Sequence, residues 1–386
     1  MTPVISGVAD TAVGRLDGTS CMALHAEAAT AALADAGLRA DEVDGVLCAY
    51  SLAEPHLMLS SVFNEYFGIT PSYSAAIQAG GATACALVMQ AAALVRAGIC
   101  RNVLAVCADN RLSGMGRGGA VAALSEVGHP QFERPYGLSI PAAYALVARR
   151  CMHERGVAPD VFAEQLAAIA VTQRGHARRH PKAQARDPLT MEQALSARMI
   201  ADPLRLFDCC LVSDGGAAIV VSAADSAADH TGRPVSILGY GQMNTHEHTF
   251  AMPSLTDFGC RQSAAQAFAM AGLTPADIDV AEIYDSFTIT LLAELESIGF
   301  FPKGEAGPAI LDGALELDGL LPCNTHGGLL SYAHSGAAGG MFHIVEAVRQ
   351  LRGEADDRQV AGAGTAFVHG DGGILSAHCS LILGRA

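Results

Sequence analysis

Three residues whose side chains could act as a nucleophile or as an acid–base group lie in glycine-rich or apolar segments. Cys85 lies in the apolar helical segment 82–97, one turn inside its start. A helix N-terminus favours a thiolate, but a thiol one turn further in is more typical of a helix core. His334 lies in the run AHSGAAGG, whose small residues let a backbone approach a ligand closely. His369, in VHGDGG, offers an imidazole suited to acid–base chemistry near neutral pH.

Two further sets of residues could bind a metal ion or a ligand. His246 and His248 alternate in NTHEHTF, so on an extended segment both would face one side and could share a metal ion. Because no third ligand accompanies them at a useful spacing, we expect no metal and prefer His246 as a wall of a substrate tunnel. The basic run at 174–186, which contains Arg174 and Arg178, either contacts ligand phosphates or forms a solvated face.

The elements that must position these residues follow an α/β pattern. Residues 46–49 and 103–107 are short apolar runs typical of buried strands, and the helical segment 82–97 lies between them.

The sequence also contains an internal repeat, because residues 31–44 are similar to residues 267–279, with Gly37 matching Gly272. Each copy predicts a helix, a glycine cap, an acidic turn and a strand. The chain therefore predicts two similar halves, with a ligand cleft between them.

The predicted domain limits are residues 1–230 for the first half and 231–386 for the second. The segment from about 110 to 205 holds glycine- and arginine-rich turns, an apolar helix and the basic run, and is expected to be an inserted loop domain.

Composition narrows the class of protein. With 51% apolar and 16% charged residues, the 386-residue chain can bury a large core, so disorder is excluded. The net charge of −15 opposes nucleic acids and anionic membranes as partners. Eleven cysteines without a CxxC pair fit neither a zinc ribbon nor a disulfide framework. No signal peptide or apolar run of about 18 residues is visible, so a cytoplasmic location is expected.

Several segments together resemble the thiolase superfamily, specifically the sterol-carrier-protein-X type of thiolase and its bacterial thiolase-like relatives. The segments that carry the resemblance are AYALVARRCMHERG (143–156), VTQRGHARRHPKA (171–183), PLRLFDCCLVSDGGAAIVVS (203–222), AGLTPADIDVAEIYDSF (271–287), NTHGGLLSYAHSGAAGG (324–340) and VHGDGG (368–373). The resemblance implies a duplicated, five-layered αβαβα fold, a homodimer and an acyl-CoA substrate.

The chain departs from this family at both sulfur positions. The nucleophilic cysteine of such thiolases opens the central helix, and the matching residue here is Gly81. The second, acid/base cysteine is also missing, because the last motif begins with His369. Gly81 and Gly372 are then expected to be backbone positions of the oxyanion site, and Cys85 remains an alternative nucleophile in a shifted site.

Other family positions keep polar groups. The motif whose first residue polarises the thioester carbonyl reads YDSF at 284–287, with a phenol at Tyr284, and the Gly-His-Pro motif keeps its imidazole as His334. Tyr284, Tyr332 or His369 could supply a base. Asp285 either belongs to the site or caps the following helix.

An enolate-forming site without a nucleophile fits aldol cleavage better than thiolysis. We therefore expect retro-aldol cleavage of a β-hydroxyacyl-CoA, with no cofactor beyond the coenzyme A of the substrate. Thiolase-like acyl-CoA aldolases of steroid side chains are similar, and they imply a small OB-fold, zinc-ribbon partner. The alternatives are a true thiolase that uses Cys85 and a non-catalytic acyl-CoA-binding or lipid-binding subunit.

Overall fold

The computed structural model describes residues 1–116, 119, 122, 127–227 and 233–386. The strands are β1 (Pro3–Asp10), β2 (Gly45–Cys48), β3 (Tyr73–Ala76), β4 (Asn102–Asn110), β5 (Met199–Ala201), β6 (Leu204–Arg205), β7 (Asp214–Ala223), β8 (Val235–Asn244), β9 (Val280–Ile283), β10 (Thr365–Gly372) and β11 (Ala377–Arg385). The helices are α1 (Cys21–Ala36), α2 (Leu59–Phe67), α3 (Thr83–Arg96), α4 (Arg111–Gly114), α5 (Ile140–Arg155), α6 (Pro159–Arg179), α7 (Met191–Ser196), α8 (Ala224–Ala227), α9 (Cys260–Ala271), α10 (Thr288–Ile298), α11 (Ala306–Leu311) and α12 (Ala338–Arg352).

The main sheet repeats one strand pattern twice. Its order is β3-β2-β4-β7-β1-β8-β11-β10-β9. In the first half β2 and β4 are parallel, while β7 is antiparallel to both β4 and β1. In the second half β9 and β10 are parallel, while β11 is antiparallel to both β10 and β8. The orders β2-β4-β7-β1 and β9-β10-β11-β8 are therefore equivalent, and the predicted duplication is confirmed.

The sequence echo that predicted the duplication has the same structure in both copies. Gly37 ends α1 and Gly272 ends α9, each in the left-handed conformation, with φ of 68° and 69°. Glycine is favoured there because it has no Cβ to clash with the backbone. Each cap is followed by one turn of 3₁₀ helix and then by β2 or β9.

Alternating side chains of the strands build separate layers. In β4, Leu104 and Val106 pack with helices α1 and α2, whereas Val103 and Ala105 face the opposite side, where α3 and α12 pack. Helices α3 and α12 also contact β10, so both lie between the two halves of the sheet. With α9 and α10 covering the other outer face, the layers are helix, sheet, helix, sheet, helix. This arrangement agrees with the predicted fold class.

The predicted insertion contributes α5, α6 and α7 to the second-half side of the molecule. Residues 117–118, 120–121 and 123–126 of this segment lie outside the described residues, as does the predicted domain limit at 230/231. In the described part of the chain, no helix is both long and apolar enough to cross a bilayer.

Candidate active site

A cavity of about 640 Å³ opens where the two halves meet. Its wall includes the loop before α3, the turn after β9, the residues before α12, the end of β10 and one side of α5. The polar residues in this wall include Tyr50, Gln78, Arg111, Tyr144, Cys209, Cys210, Asn244, His246, Glu247, Tyr284, Ser286, His334, Asp371 and Ser376. This volume is in the range of small-molecule sites.

Tyr284 and His334 form a hydrogen-bonded pair in the cavity wall. Tyr284 follows β9, His334 precedes α12, and their Oη and Nε2 atoms are 2.9 Å apart. The other imidazole nitrogen, Nδ1, lies 3.1 Å from Sγ of Cys210. The backbone N–H of His334 donates to Oγ of Ser213 at 2.9 Å, and the N–H of Ser213 donates to the carbonyl of His334. Both ring nitrogens and the backbone of His334 are therefore held in place.

The tyrosine ring occupies the space that a side chain at Gly81 would need. A Cβ built on Gly81 would lie 2.2 Å from Cζ of Tyr284, 2.5 Å from its Oη and 2.3 Å from the carbonyl oxygen of Asp371. Real Cβ atoms do not make contacts this short. The position expected for a thiolase nucleophile therefore lacks a thiol and is filled by a phenol from the other half.

Burial controls the ionisation of this pair. Burial, with a smaller contribution from the Arg111 cation, lowers the pKa of His334 to about 3. Burial raises the pKa of the Tyr284 phenol well above its usual range, with a smaller contribution from Tyr50. Near neutral pH both groups are uncharged, so the pair is suited to passing a proton rather than to holding a charge.

Arg111 supplies a buried cation to the same cavity. The residue is 5% exposed, and its Nε atom has no hydrogen-bond partner. The nearby carboxylate of Asp109 is occupied by other donors, namely the hydroxyl of Ser51 and the backbone N–H groups of Leu52, Ala53 and Asn110. Arg111 can therefore stabilise negative charge that develops on a bound ligand.

Cys85, Tyr332 and His369 do not line this cavity. Cys85 is buried in α3, and burial raises the pKa of its thiol to about 12. Tyr332 is buried, and its hydroxyl donates to Asp10 at 2.6 Å. His369 lies behind the wall, with Nδ1 2.9 Å from Oγ of Ser380, and burial lowers its pKa to about 3. The structure therefore does not bring these three candidates together with Tyr284 and His334.

Asp285 and Gly372 support the site from behind. Asp285 does not cap α10, because its carboxylate accepts from the backbone N–H groups of Leu329 and Leu330 at 2.7 and 3.4 Å. These residues belong to a π-helical turn that leads toward His334. A Cβ on Gly372 would lie 2.0 Å from the carbonyl oxygen of Ala79, so β10 and the loop before α3 are in backbone contact.

The predicted binding residues are distributed over different places. His246 lies in the cavity wall, with Nε2 3.1 Å from the carbonyl oxygen of Ile374. Arg174 lines a second cavity of about 300 Å³ and donates to Ser331. The two cavities share Cys209, Cys210 and other wall residues. Arg178 instead lines a separate surface groove with Arg179.

Sequence reasoning missed four groups of the cavity: Arg111, Tyr144, Cys210 and Asp371. Cys210 lies in the segment 203–222, and nothing in the sequence distinguishes it from a core thiol. Arg111 lies outside the segments that carry the family resemblance, whereas Tyr144 and Asp371 lie within 143–156 and 368–373, where nothing in the sequence marks them as part of a site.

Within the described residues, two buried groups of side chains contain metal-ligand atom types: Cys260, Glu294 and His378 in one, and Glu282, His326 and His343 in the other. In the second group, Nδ1 of His343 donates to Oε2 of Glu282 at 3.1 Å, so that carboxylate already has a partner. In the first group, burial raises the pKa of Glu294 well above its usual range, so a proton can neutralise it. Neither arrangement requires an ion, and the expectation of no metal remains a prediction.

Comparison with known proteins identifies the class. Residues 241–385 match the family model described as "Thiolase C-terminal domain-like". The chain is 34% identical to an acetyl-CoA acetyltransferase of Methanothermobacter thermautotrophicus, over 97% of this chain and 98% of the relative. It is 39% identical to a 17-hydroxy-3-oxo-4-pregnene-20-carboxyl-CoA lyase of Mycobacterium tuberculosis, over 98% of both.

Among solved structures, an Ltp2-ChsH2(DUF35) aldolase superposes with a TM-score of 0.87 at 35% identity, covering 100% of this chain and 98% of that one. The chain therefore belongs to the thiolase superfamily. Within it, the chain falls in the thiolase-like acyl-CoA aldolase branch. The resemblance and the fold predicted from the sequence are both confirmed.

Proposed function

We propose that this enzyme cleaves a β-hydroxyacyl-CoA by a retro-aldol reaction, without a covalent acyl-enzyme. The observation that carries the proposal is the Tyr284–His334 pair, whose phenol fills the place of the family nucleophile at Gly81. The names of the lyase and aldolase relatives support the same chemistry.

The reaction begins with the β-hydroxyl of the substrate at Oη of Tyr284. Tyr284 accepts the hydroxyl proton as its own proton moves to Nε2 of His334 over the 2.9 Å contact. The Cα–Cβ bond breaks, the hydroxyl carbon becomes a carbonyl, and the electron pair of the broken bond forms a thioester enolate. The enolate is finally protonated at Cα to give a shorter acyl-CoA.

Arg111 stabilises the enolate in this scheme. Its cation lies in the cavity wall, and its Nε atom has no partner of its own. A buried guanidinium interacts more strongly with developing negative charge than it would in water. The enolate in turn raises the proton affinity of His334, which favours the first proton transfer.

We also propose where coenzyme A binds, how the protein assembles and which acyl group it takes. The coenzyme A moiety extends toward Arg174 through the second cavity, and the chemistry uses no further cofactor. The protein is a cytoplasmic homodimer, and it works with a small OB-fold, zinc-ribbon protein. The DUF35 component named in the solved aldolase complex supports a partner of this kind. A steroid is the favoured acyl group, since the lyase relative is named for one.

Acyl transfer is the second candidate function, because Cys210 and His334 are a thiol–imidazole pair with a 3.1 Å contact in the cavity. Burial raises the pKa of Cys210 to about 12, which opposes thiolate formation. This candidate replaces the alternative built on Cys85, which does not line the cavity.

Product analysis without free coenzyme A tests the proposal. We expect the purified protein, with its DUF35-type partner if one is required, to convert a steroidal β-hydroxyacyl-CoA into a ketone and a shorter acyl-CoA. Tyr284→Phe should lower kcat by at least about 100-fold, the range for loss of an acid–base group. Cys210→Ala, the matched control, should keep more than a tenth of the activity.

Three outcomes would contradict the proposal. Cleavage that requires free coenzyme A, with an acyl adduct on Cys210 in the intact mass, would establish acyl transfer. Full activity of Tyr284→Phe would remove the pair from the reaction. Inertness toward both β-hydroxyacyl-CoA and β-ketoacyl-CoA, with retained acyl-CoA binding, would leave a binding role.

A further inference from the structure

Retro-aldol cleavage moves two protons, and the Tyr284–His334 pair accounts for one of them. The other proton must arrive at Cα of the thioester enolate. Because Cα is one bond away from the hydroxyl-bearing carbon, the second proton donor must lie in the same cavity, near Tyr284 but on another part of the wall.

Asp371, at the end of β10, occupies such a position. It lines the cavity, and its backbone and the Tyr284 phenol border the same small space at Gly81. Its Oδ2 atom accepts a hydrogen bond from Oη of Tyr144 at 3.0 Å, while its Oδ1 atom is buried without any hydrogen-bond partner. A carboxylate buried with one partner is unfavourable, whereas a carboxylic acid carries its proton on the free oxygen.

The neighbours of Asp371 favour the acid form. The titratable groups that interact with it include Tyr144 on α5, Glu294 on α10 and His378 on β11, and also Tyr284 and Cys260. Nδ1 of His378 is 3.9 Å from Oδ1. Burial and the Glu294 carboxyl raise the pKa of Asp371 well above its usual range. Among the described residues, no lysine or arginine forms an ion pair with Asp371 that would hold it ionised.

Tyr144 fixes this carboxyl group in place. Its ring is stacked on Phe287 with centroids 4.3 Å apart, and the residue is 1% exposed. The phenol therefore cannot follow a moving carboxyl without disturbing the packing of α5.

We infer that Asp371, positioned by Tyr144, is the acid that protonates Cα of the thioester enolate. The inference rests on the proposed retro-aldol function. In this step the O–H bond of Asp371 breaks and its proton forms a new C–H bond with the enolate electron pair. Asp371 is left as a carboxylate. After the products leave, His334 releases its proton to water and Asp371 takes up a proton from water, so both groups return to their starting forms. In the reverse direction the carboxylate removes a proton from Cα of an acyl-CoA.

Isotope exchange tests this step apart from C–C cleavage. The protein, with its DUF35-type partner if one is required for cleavage, is incubated in D₂O with acetyl-CoA or propionyl-CoA, and deuterium at Cα is followed by mass spectrometry. The wild-type protein should exchange these hydrogens. Asp371→Asn, which keeps the shape of the side chain, should slow exchange at least about 100-fold. Cys85→Ala, the matched control outside the cavity wall, should retain exchange within about threefold.

Folding and binding are measured in parallel. Thermal unfolding and calorimetric titration with propionyl-CoA establish that each variant is folded and binds its ligand. Tyr144→Phe gives a second test if Asp371→Asn does not fold. It should slow exchange about tenfold at unchanged acyl-CoA affinity, because it loosens the acid without removing it.

The outcomes separate this inference from the proposed function. Exchange by a folded Asp371→Asn within threefold of the wild-type rate would overturn the inference, as would a wild-type protein that binds acyl-CoA without exchange. Asp371-dependent exchange with no cleavage of any β-hydroxyacyl-CoA would instead overturn retro-aldol cleavage and leave Asp371 as the group that enolises the thioester.

Discussion

Introducing one methyl group at Gly81 should damage both stability and activity. In Gly81→Ala the new Cβ would meet Cζ of Tyr284 at 2.2 Å and the carbonyl oxygen of Asp371 at 2.3 Å, against about 3.5–4.0 Å for a favourable carbon contact. The carbonyl belongs to the backbone of β10 and cannot rotate away, so the tyrosine must move. Overpacking of this kind costs about 3 kcal/mol.

In a chain of 386 residues, about 3 kcal/mol corresponds to a Tm lowered by about 4 °C. Displacing Oη of Tyr284 from His334 should also lower kcat about 100-fold, because catalytic geometry tolerates errors of less than about 1 Å. Calorimetry and the product assay measure both effects. Gly175→Ala in α6 is the matched control, since a Cβ there has no neighbour within 4 Å.

A double mutant tests whether the clash with the Tyr284 ring causes the loss of stability in Gly81→Ala. In a Tyr284→Ala background the same Gly81→Ala change should cost at least about 1 kcal/mol less, because the ring is gone and the carbonyl contact alone remains. Wild-type stability and activity of Gly81→Ala would refute the claim that the tyrosine ring occupies the nucleophile position.

Three further predictions concern groups outside the cavity wall and the protein as a whole. Tyr332→Phe removes the 2.6 Å hydrogen bond to Asp10 and should lower the free energy of unfolding by about 1–3 kcal/mol with kcat unchanged. Denaturant titration and the product assay measure the two effects. A large loss of kcat at unchanged stability would place Tyr332 in the reaction. Cys85→Ala should leave kcat within about twofold, and a loss beyond tenfold would restore it as a nucleophile. Among the described residues, burial lowers the pKa of eight histidines, His334 and His378 among them to about 3, and raises the pKa of five carboxyl groups, Asp371 among them. Because the histidines outnumber these carboxyl groups, the unfolded chain binds more protons than the folded one below pH 6.5, and the Tm should fall as the pH is lowered from 7 to 5. A constant Tm over that interval would contradict this burial.

The sequence predicts the fold well because the fold depends on local patterns. The glycine cap, turn and strand after residue 37 and after residue 272 are encoded within about ten residues each, so the duplication can be recognised without tertiary information. Tyr284 and His334 are likewise marked by short motifs that place them after a strand and before a helix.

The remaining members of the site depend on contacts between distant segments. Tyr332 is two residues from His334 in sequence, yet its hydroxyl reaches Asp10, 322 residues away, and it lies behind the wall rather than in it. Cys210 enters the cavity because the loop after it pairs with the backbone of His334 through Ser213, a contact over 121 residues. Propensity and spacing carry no information on such pairings.

The close approach of Gly81 and Tyr284 also limits how such a site could arise. A chain with a cysteine at position 81 has no room for the phenol in its present place, so the change to glycine must come before the tyrosine or together with it. Across the family we therefore expect that any residue other than glycine at the position of Gly81 excludes a tyrosine in this orientation at the position of Tyr284. A chain that changed from acyl transfer to aldol cleavage by this route would lose the old chemistry no later than it gained the new one.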